Sequence, residues 1–184
     1  MIPEFQLRRA VQYCNSGGVI AYPTESVFGL GCDPLDQIAV YKILQLKQRP
    51  VEKGMILIAS NLEQLQPFLS TEQTLDKLLK PQTIPTSWLV KPSNLTPDWI
   101  TGKHPKLAVR ITQHPIAQAL CARLGYPLVS TSANPASLPP ARNLLKLRHY
   151  FADNIDYCVS GDVGKANKPS QIIDLESGQI VRPG

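Results

Sequence analysis

The chain has 184 residues, 43% of them hydrophobic and 18% charged. That balance excludes a disordered chain and suits one folded domain spanning residues 1–184. No apolar run approaches the roughly 20 residues a membrane helix needs, and Met1-Ile2-Pro3-Glu4-Phe5 lacks the basic-then-apolar order of a secretory signal. The net charge of +5 keeps acidic partners such as nucleotides and RNA in play.

In chain order, Leu7, Ala10, Val11 and Cys14 follow helical spacing, and Gly17-Gly18 is a stop signal. Val19–Tyr22 reads as a buried strand. Asp36 caps a helix with Ile38, Tyr41 and Leu44 on one face, ending before Pro50. Met55–Ala59 reads as a second buried strand. Asn61 and Ser70 read as caps for two short helices. Thr86–Val90 and Leu107–Thr112 read as strands, Pro115–Leu124 as a helix closed by Gly125, and Leu128–Thr131 as an apolar strand running into polar residues. Leu144–Phe151 reads as a helix. Strands near Tyr157–Val159, Gln171–Leu175 and Ile180–Arg182 follow, the last two flanking a Ser177-Gly178 turn. This alternation implies an α/β domain with a mixed sheet, whose ligands sit beyond strand ends.

Four polar clusters fall at such ends. In Tyr22–Gly31, a Pro-stiffened turn exposes Thr24, Glu25 and Ser26, and glycines allow a close backbone approach; a plain turn is the alternative. In Lys47–Gly54, Lys47, Arg49 and Lys53 gather at a helix end. Read as a strand-like segment, Lys47 and Arg49 point the same way and converge on one anion; a solvated helix terminus is the alternative. Ser130-Thr131-Ser132-Ala133-Asn134 offers three hydroxyls and an amide to a carboxylate, phosphate or ribose. Ser160–Gly164 and Lys168–Ser170 form a late loop that is no phosphate-binding P-loop. Arg110 is a lone cation in an apolar strand, held for an anion or left on an exposed face. His104 and His114 precede prolines, and no motif links His104, His114 or His149 to the serines, which argues against a Ser-His-Asp hydrolase. The four scattered cysteines, Cys14, Cys32, Cys121 and Cys158, contain no C-x-x-C pair. They argue against zinc and a disulfide framework, and suit a reducing cytoplasm.

Taken together, YPTESVFGLG at Tyr22–Gly31, KQRPVEKG at Lys47–Gly54, LAVRIT at Leu107–Thr112, STSAN at Ser130–Asn134 and PSQIID at Pro169–Asp174 resemble the YrdC/TsaC family, the threonylcarbamoyl-AMP synthases, in its short bacterial form. The resemblance implies a single-domain, twisted open mixed sheet with flanking helices and a large basic concave face. It implies that L-threonine, bicarbonate or CO2, and ATP become L-threonylcarbamoyl-AMP and pyrophosphate, with Mg2+ carried on the ATP phosphates. A partner complex then moves the threonylcarbamoyl group to tRNAs reading ANN codons. The alternative is a non-catalytic binder of tRNA or double-stranded RNA.

Carried over by motif, Lys47 and Arg49 are the catalytic cations on the ATP phosphates, with Lys53 beside them. Thr86, Ser132, Asn134 and Arg142 lie near the nucleotide. Thr24, Arg110, Ser130 and Ser170 hold threonine. The chain departs from the family pattern at Pro81–Trp88, which lacks the usual Trp and Gly before Thr86, at Pro135–Leu138, and at Gln171, where the family carries a second hydroxyl.

Overall fold

The structure, a computed structural model, describes residues 2–80 and 82–184. Pro81, the first residue of the departing Pro81–Trp88 segment, lies outside the described residues.

The first helix, α1 (Glu4–Asn15), buries Leu7, Ala10 and Cys14. It ends where Gly17 takes the left-handed conformation, at φ +76°. β1 (Ile20–Pro23) and β2 (Phe28–Gly31) then form a tight antiparallel hairpin, with Pro23 opposite Phe28. The sequence shows a turn here and hides β2, because glycine is a poor strand former. The glycines have a packing reason. A Cβ on Gly31 would lie 2.5 Å from the Val129 carbonyl oxygen and 2.8 Å from the Tyr22 ring.

In α2 (Gln37–Lys47), the Asp36 carboxylate caps the helix by accepting from the Ala39 N–H at 3.0 Å. The buried stripe is Ala39, Val40, Ile43, Leu44 and Lys47, whereas Ile38 is 83% exposed and Tyr41 is exposed. The expected Ile38–Tyr41–Leu44 face is therefore corrected by one helical step: the sequence carries two overlapping apolar stripes, and burial against the sheet selects the other. The helix stops because Gln48 turns left-handed, at φ 50° and ψ 45°. Lys47 is thus the last helical residue, and the expected strand-like convergence of Lys47 and Arg49 does not occur.

β3 (Ile56–Ala59), β4 (Thr86–Val90), β5 (Leu107–Ile111), β6 (Leu128–Ser132), β7 (Tyr157–Cys158), β8 (Gln171–Asp174) and β9 (Ile180–Arg182) complete one nine-stranded mixed sheet. The order is β7-β1-β2-β6-β3-β5-β4-β8-β9. Between the strands lie α3 (Asp76–Leu79), α4 (Asp98–Thr101), α5 (Pro115–Leu124) and α6 (Leu144–Phe151). Asn61 and Ser70 cap no α-helix: their side-chain oxygens accept from the Gln64 and Glu72 N–H groups in local turns. α4 has only four residues, too few for a visible helical period.

β1, β3 and β6 divide their side chains between two cores by period-two alternation. Val19, Ala21, Leu57, Ala59 and Val129 enter a large core that includes α2 and α6 residues. Ile20, Tyr22, Ile58 and Leu128 enter a smaller core under α1 and α5. α1 and α5 contact β1, β7 and β3, so they cover only part of that second face. The remainder of the face carries the polar clusters.

Candidate active site

Strand parity places the key side chains. On β6, Leu128 faces the smaller core, and Ser130 and Ser132 follow on the same face. On β5, Val109 enters the large core, so Arg110 faces the other way. These residues line a cavity of about 180 Å³, together with Thr24, Arg49, Ser170 and Arg182. Gly29 also lines it. A Cβ there would crowd the Thr24 methyl at 3.2 Å and touch the Ser130 hydroxyl at 3.6 Å, so the glycine leaves room along this wall of the cavity. Among the described residues, His104, His114 and His149 are not part of the lining of this cavity.

The electrostatics are dominated by three guanidinium groups. Arg110 is 11% exposed at its side chain and lies 3.2 Å from a Glu25 carboxylate oxygen. The other Glu25 oxygen accepts from the Thr112 hydroxyl at 2.8 Å and the Gln113 N–H at 3.2 Å. Burial opposes ionisation of Glu25, but Arg110 and these donors outweigh it and hold its carboxyl below the usual range. Arg49 and Arg182 take part in no ion pair among the described residues. Arg49 donates to the carbonyls of Lys53 at 3.1 Å and Gly54 at 2.9 Å, and Arg182 donates to the Ser170 carbonyl at 2.6 Å. Burial, and then the Arg182 charge, push the Arg49 guanidinium below its ordinary value. Two cations held beside a third without a carboxylate of their own favour an incoming anion.

Lys47 stands beneath the site. Its buried ammonium donates to the Ser132 carbonyl, to the Asn134 carbonyl at 2.8 Å, and to the Asn134 side-chain oxygen at 3.3 Å. All three of its protons point at protein acceptors. Burial, with the Arg49 charge adding to it, lowers its pKa to about 8. Asn134 also accepts from the Ser132 hydroxyl at 2.6 Å, and it donates to the Pro135 and Leu138 carbonyls. Its amide is spent holding the loop in shape.

Of the residues expected from sequence, Thr24, Arg49, Arg110, Ser130, Ser132 and Ser170 come together in the cavity. Lys47 and Asn134 adjoin it through Ser132. Lys53 is exposed and contributes a backbone carbonyl to Arg49. Thr86 lines an adjoining cavity of about 370 Å³ that shares Arg110 as a wall. Its hydroxyl donates to the Ile84 carbonyl and accepts from Gln171 at 2.7 Å, so Gln171 fills a local structural role. Arg142 is exposed and lines neither cavity. Sequence reasoning missed Arg182; the available signal was a lone cation on the short apolar strand Ile180–Arg182. A larger groove, about 900 Å³, runs along the outer face of α2 past Ile38 and Tyr41. Arg49 is the one residue it shares with the polar cavity.

A mixed sheet with this basic, hydroxyl-lined cavity defines a class of ligand-binding α/β protein. The Sua5/YciO/YrdC family model, described as "Telomere recombination", matches residues 12–184, and the chain belongs to this family. It is 51% identical over 176 residues to a threonylcarbamoyl-AMP synthase of Cellvibrio japonicus, covering 95% of this chain and 93% of that one. It is 48% identical over 185 residues to the threonylcarbamoyl-AMP synthase of Pseudomonas aeruginosa UCBPP-PA14, with both chains fully covered. Among solved structures, P. abyssi Sua5 complexed with L-threonine superposes with a TM-score of 0.91 at 29% identity. All of this chain is covered, but only 55% of that one, so the chain spans just over half the length of P. abyssi Sua5. E. coli YciO superposes with a TM-score of 0.84 at 27% identity, covering 99% of this chain and 90% of that one.

Proposed function

We propose that this chain is a threonylcarbamoyl-AMP synthase, using L-threonine, bicarbonate or CO2, and ATP. One observation carries the reading. Arg49, Arg110 and Arg182 converge with Thr24, Ser130, Ser132 and Ser170 in one cavity, and two of the three cations lack a carboxylate partner among the described residues. Identity of 48–51% to proteins of that name supports it.

In this reading Arg110 receives the threonine carboxylate, and Ser130 and Ser170 lie beside the same amino acid. The Thr24 hydroxyl donates to the Val27 carbonyl at 2.8 Å, so towards a ligand it can only accept, which suits the amino or hydroxyl group of threonine. Arg49 and Arg182 meet the triphosphate, and Ser132 lies nearby. Lys47 adds charge from below. To touch a phosphate it exchanges one of its three present acceptors. Thr86 lines the adjoining space, while Lys53 and Arg142 sit at the margin.

The threonine nitrogen bonds to the bicarbonate carbon with loss of water, giving a carbamate. A carbamate oxygen then attacks the α-phosphorus. The bond from that phosphorus to its bridging oxygen breaks, and pyrophosphate leaves with the electron pair. No protein nucleophile is needed. The chain's task is to align the carbamate, exclude water and offset charge on the leaving group. The described residues contain no group of three or more His, Cys, Asp or Glu able to hold a metal. In this reading magnesium enters as part of the MgATP substrate, carried on the phosphates.

We place the product upstream of a tRNA-modifying transfer complex in the cytoplasm. A non-catalytic RNA binder would need positive charge but no hydroxyl-lined cavity. The test is pyrophosphate release with ATP, magnesium, bicarbonate and L-threonine, omitting each in turn. Release that requires threonine and bicarbonate, with a threonylcarbamoyl-AMP mass peak, supports the reading. No release from folded protein, with the product protected from hydrolysis, overturns it.

A further inference from the structure

Ser87 was singled out neither by motif nor by the reaction, yet it stands directly behind the proposed threonine contact. It lies on β4 and is fully buried. Its hydroxyl oxygen is 2.9 Å from the Ser170 hydroxyl oxygen, its one hydrogen-bond partner among the described residues. Ser170 lines the cavity and is almost closed off, at 5% exposure. It is also fixed from other directions. Arg182 donates to its carbonyl, and the next residue, Gln171, pairs with Thr86 in the β4–β8 register, its N–H donating to the Pro85 carbonyl at 2.9 Å.

The direction of the Ser87–Ser170 bond follows from burial. A buried O–H left without an acceptor is costlier than a hydroxyl oxygen with an unused lone pair. Ser87 is fully buried and has no second side-chain partner among the described residues, so its proton is assigned to Ser170, the hydroxyl that also faces the cavity. Ser170 then accepts at the back, and its own proton is directed into the cavity. A ligand donor at that point would reverse the pair and strand the Ser87 proton.

We propose that Ser87 is a positioning residue that sets Ser170 as a hydrogen-bond donor to an acceptor oxygen of the amino-acid substrate. The inference rests on the proposed placement of threonine beside Ser170. Ser87 touches no substrate and acts through Ser170 alone.

The test is steady-state kinetics of Ser87→Ala, Ser87→Cys, Ser170→Ala and the Ser87→Ala/Ser170→Ala double variant, with folding checked by circular dichroism. Ser87→Ala is expected to raise KM for threonine about tenfold, with KM for ATP unchanged and kcat within twofold, matching the loss of one oriented hydrogen bond. Ser87→Cys, a weak donor of similar size, should fall between wild type and Ser87→Ala. The double variant should be no worse than Ser170→Ala, because both changes remove one device. If Ser170→Ala leaves threonine KM unchanged, the placement of threonine fails and the inference falls with it. If Ser170→Ala raises KM but Ser87→Ala does not, or the two effects add fully, the placement stands and the role of Ser87 is overturned. A shift in melting temperature without any change in threonine KM also overturns it, because a merely structural serine would behave that way.

Discussion

Two regions of one sheet face obey the same strand geometry and have opposite chemistry. Under α1 and α5, Ile20, Tyr22, Ile58 and Leu128 fill a closed apolar core. Beyond those helices, the same face carries Ser130, Ser132 and Arg110 around an open cavity. The change occurs within two residues of β6, between Leu128 and Ser130, which period two places on the same side. The closed half supplies stability. The open half spends some of it, because hydroxyls and clustered cations gain little until a ligand arrives. The fold therefore acts as a rigid plate with its binding groups fixed on strands and short loops.

The largest expected effect breaks the open half. Arg110→Gln should lower kcat/KM for threonine by about a hundredfold, the loss of a charge-assisted contact. It should also cost about 3 kcal/mol of stability, because Glu25 is left buried without its cation. Denaturant unfolding and threonine kinetics measured together check both parts.

The closed half should respond in the opposite sense. Leu128→Ala, at a fully buried position, should cost about 2–5 kcal/mol in unfolding experiments while leaving threonine and ATP KM within twofold. A large KM change would show that the two halves are not separable.

Arg49→Ala sharpens the comparison further. KM for ATP should rise about tenfold or more, with the melting temperature unchanged or slightly higher, because one of three neighbouring cations is removed.

The smallest effect is a pH dependence. Lys47 in the ligand-free protein has a pKa of about 8, against the ordinary 10.5. Between those values the unfolded chain binds more protons than the folded one, so Lys47 makes stability rise with pH across that window. ATP affinity should move the other way, falling about tenfold from pH 7 to pH 9 as the ammonium loses its proton. Titration of ATP at the two pH values checks this, and Lys47→Met should flatten the dependence.

Much of the fold was legible in the sequence, for stated reasons. α5, closed by Gly125, and α6 both occur at the expected bounds, and the structure adds the Asn143 side chain as the cap of α6. The sheet is mixed, as the run of late strands suggested. β2 was hidden because its glycines, needed for clearance from Tyr22 and Val129, look like a loop. The buried stripe of α2 was misread because apolar residues occupy both sides of that helix. In the site, the local clusters each left a plain structural reading open, and it was the family resemblance that grouped Thr24, Arg49, Arg110, Ser130, Ser132 and Ser170, which one cavity gathers. Arg182 and Ser87 reach the site through strand pairing at the far end of the sheet; the lone cation on Ile180–Arg182 marks the residue, but no local pattern encodes which strands bring it there. The left-handed Gln48 that separates Lys47 from Arg49 is likewise invisible, because glutamine seldom adopts that conformation.

The central claim is that the open half of the face holds an amino acid by its carboxylate at Arg110. Calorimetric titration of wild-type protein and Arg110→Gln with L-threonine and with L-threoninamide, which lacks the carboxylate charge, tests it directly. The account predicts that wild type binds threonine and prefers it to the amide by tenfold or more, and that Arg110→Gln removes the preference. Equal binding of the two compounds by wild type, or a preference that survives in Arg110→Gln, would contradict it.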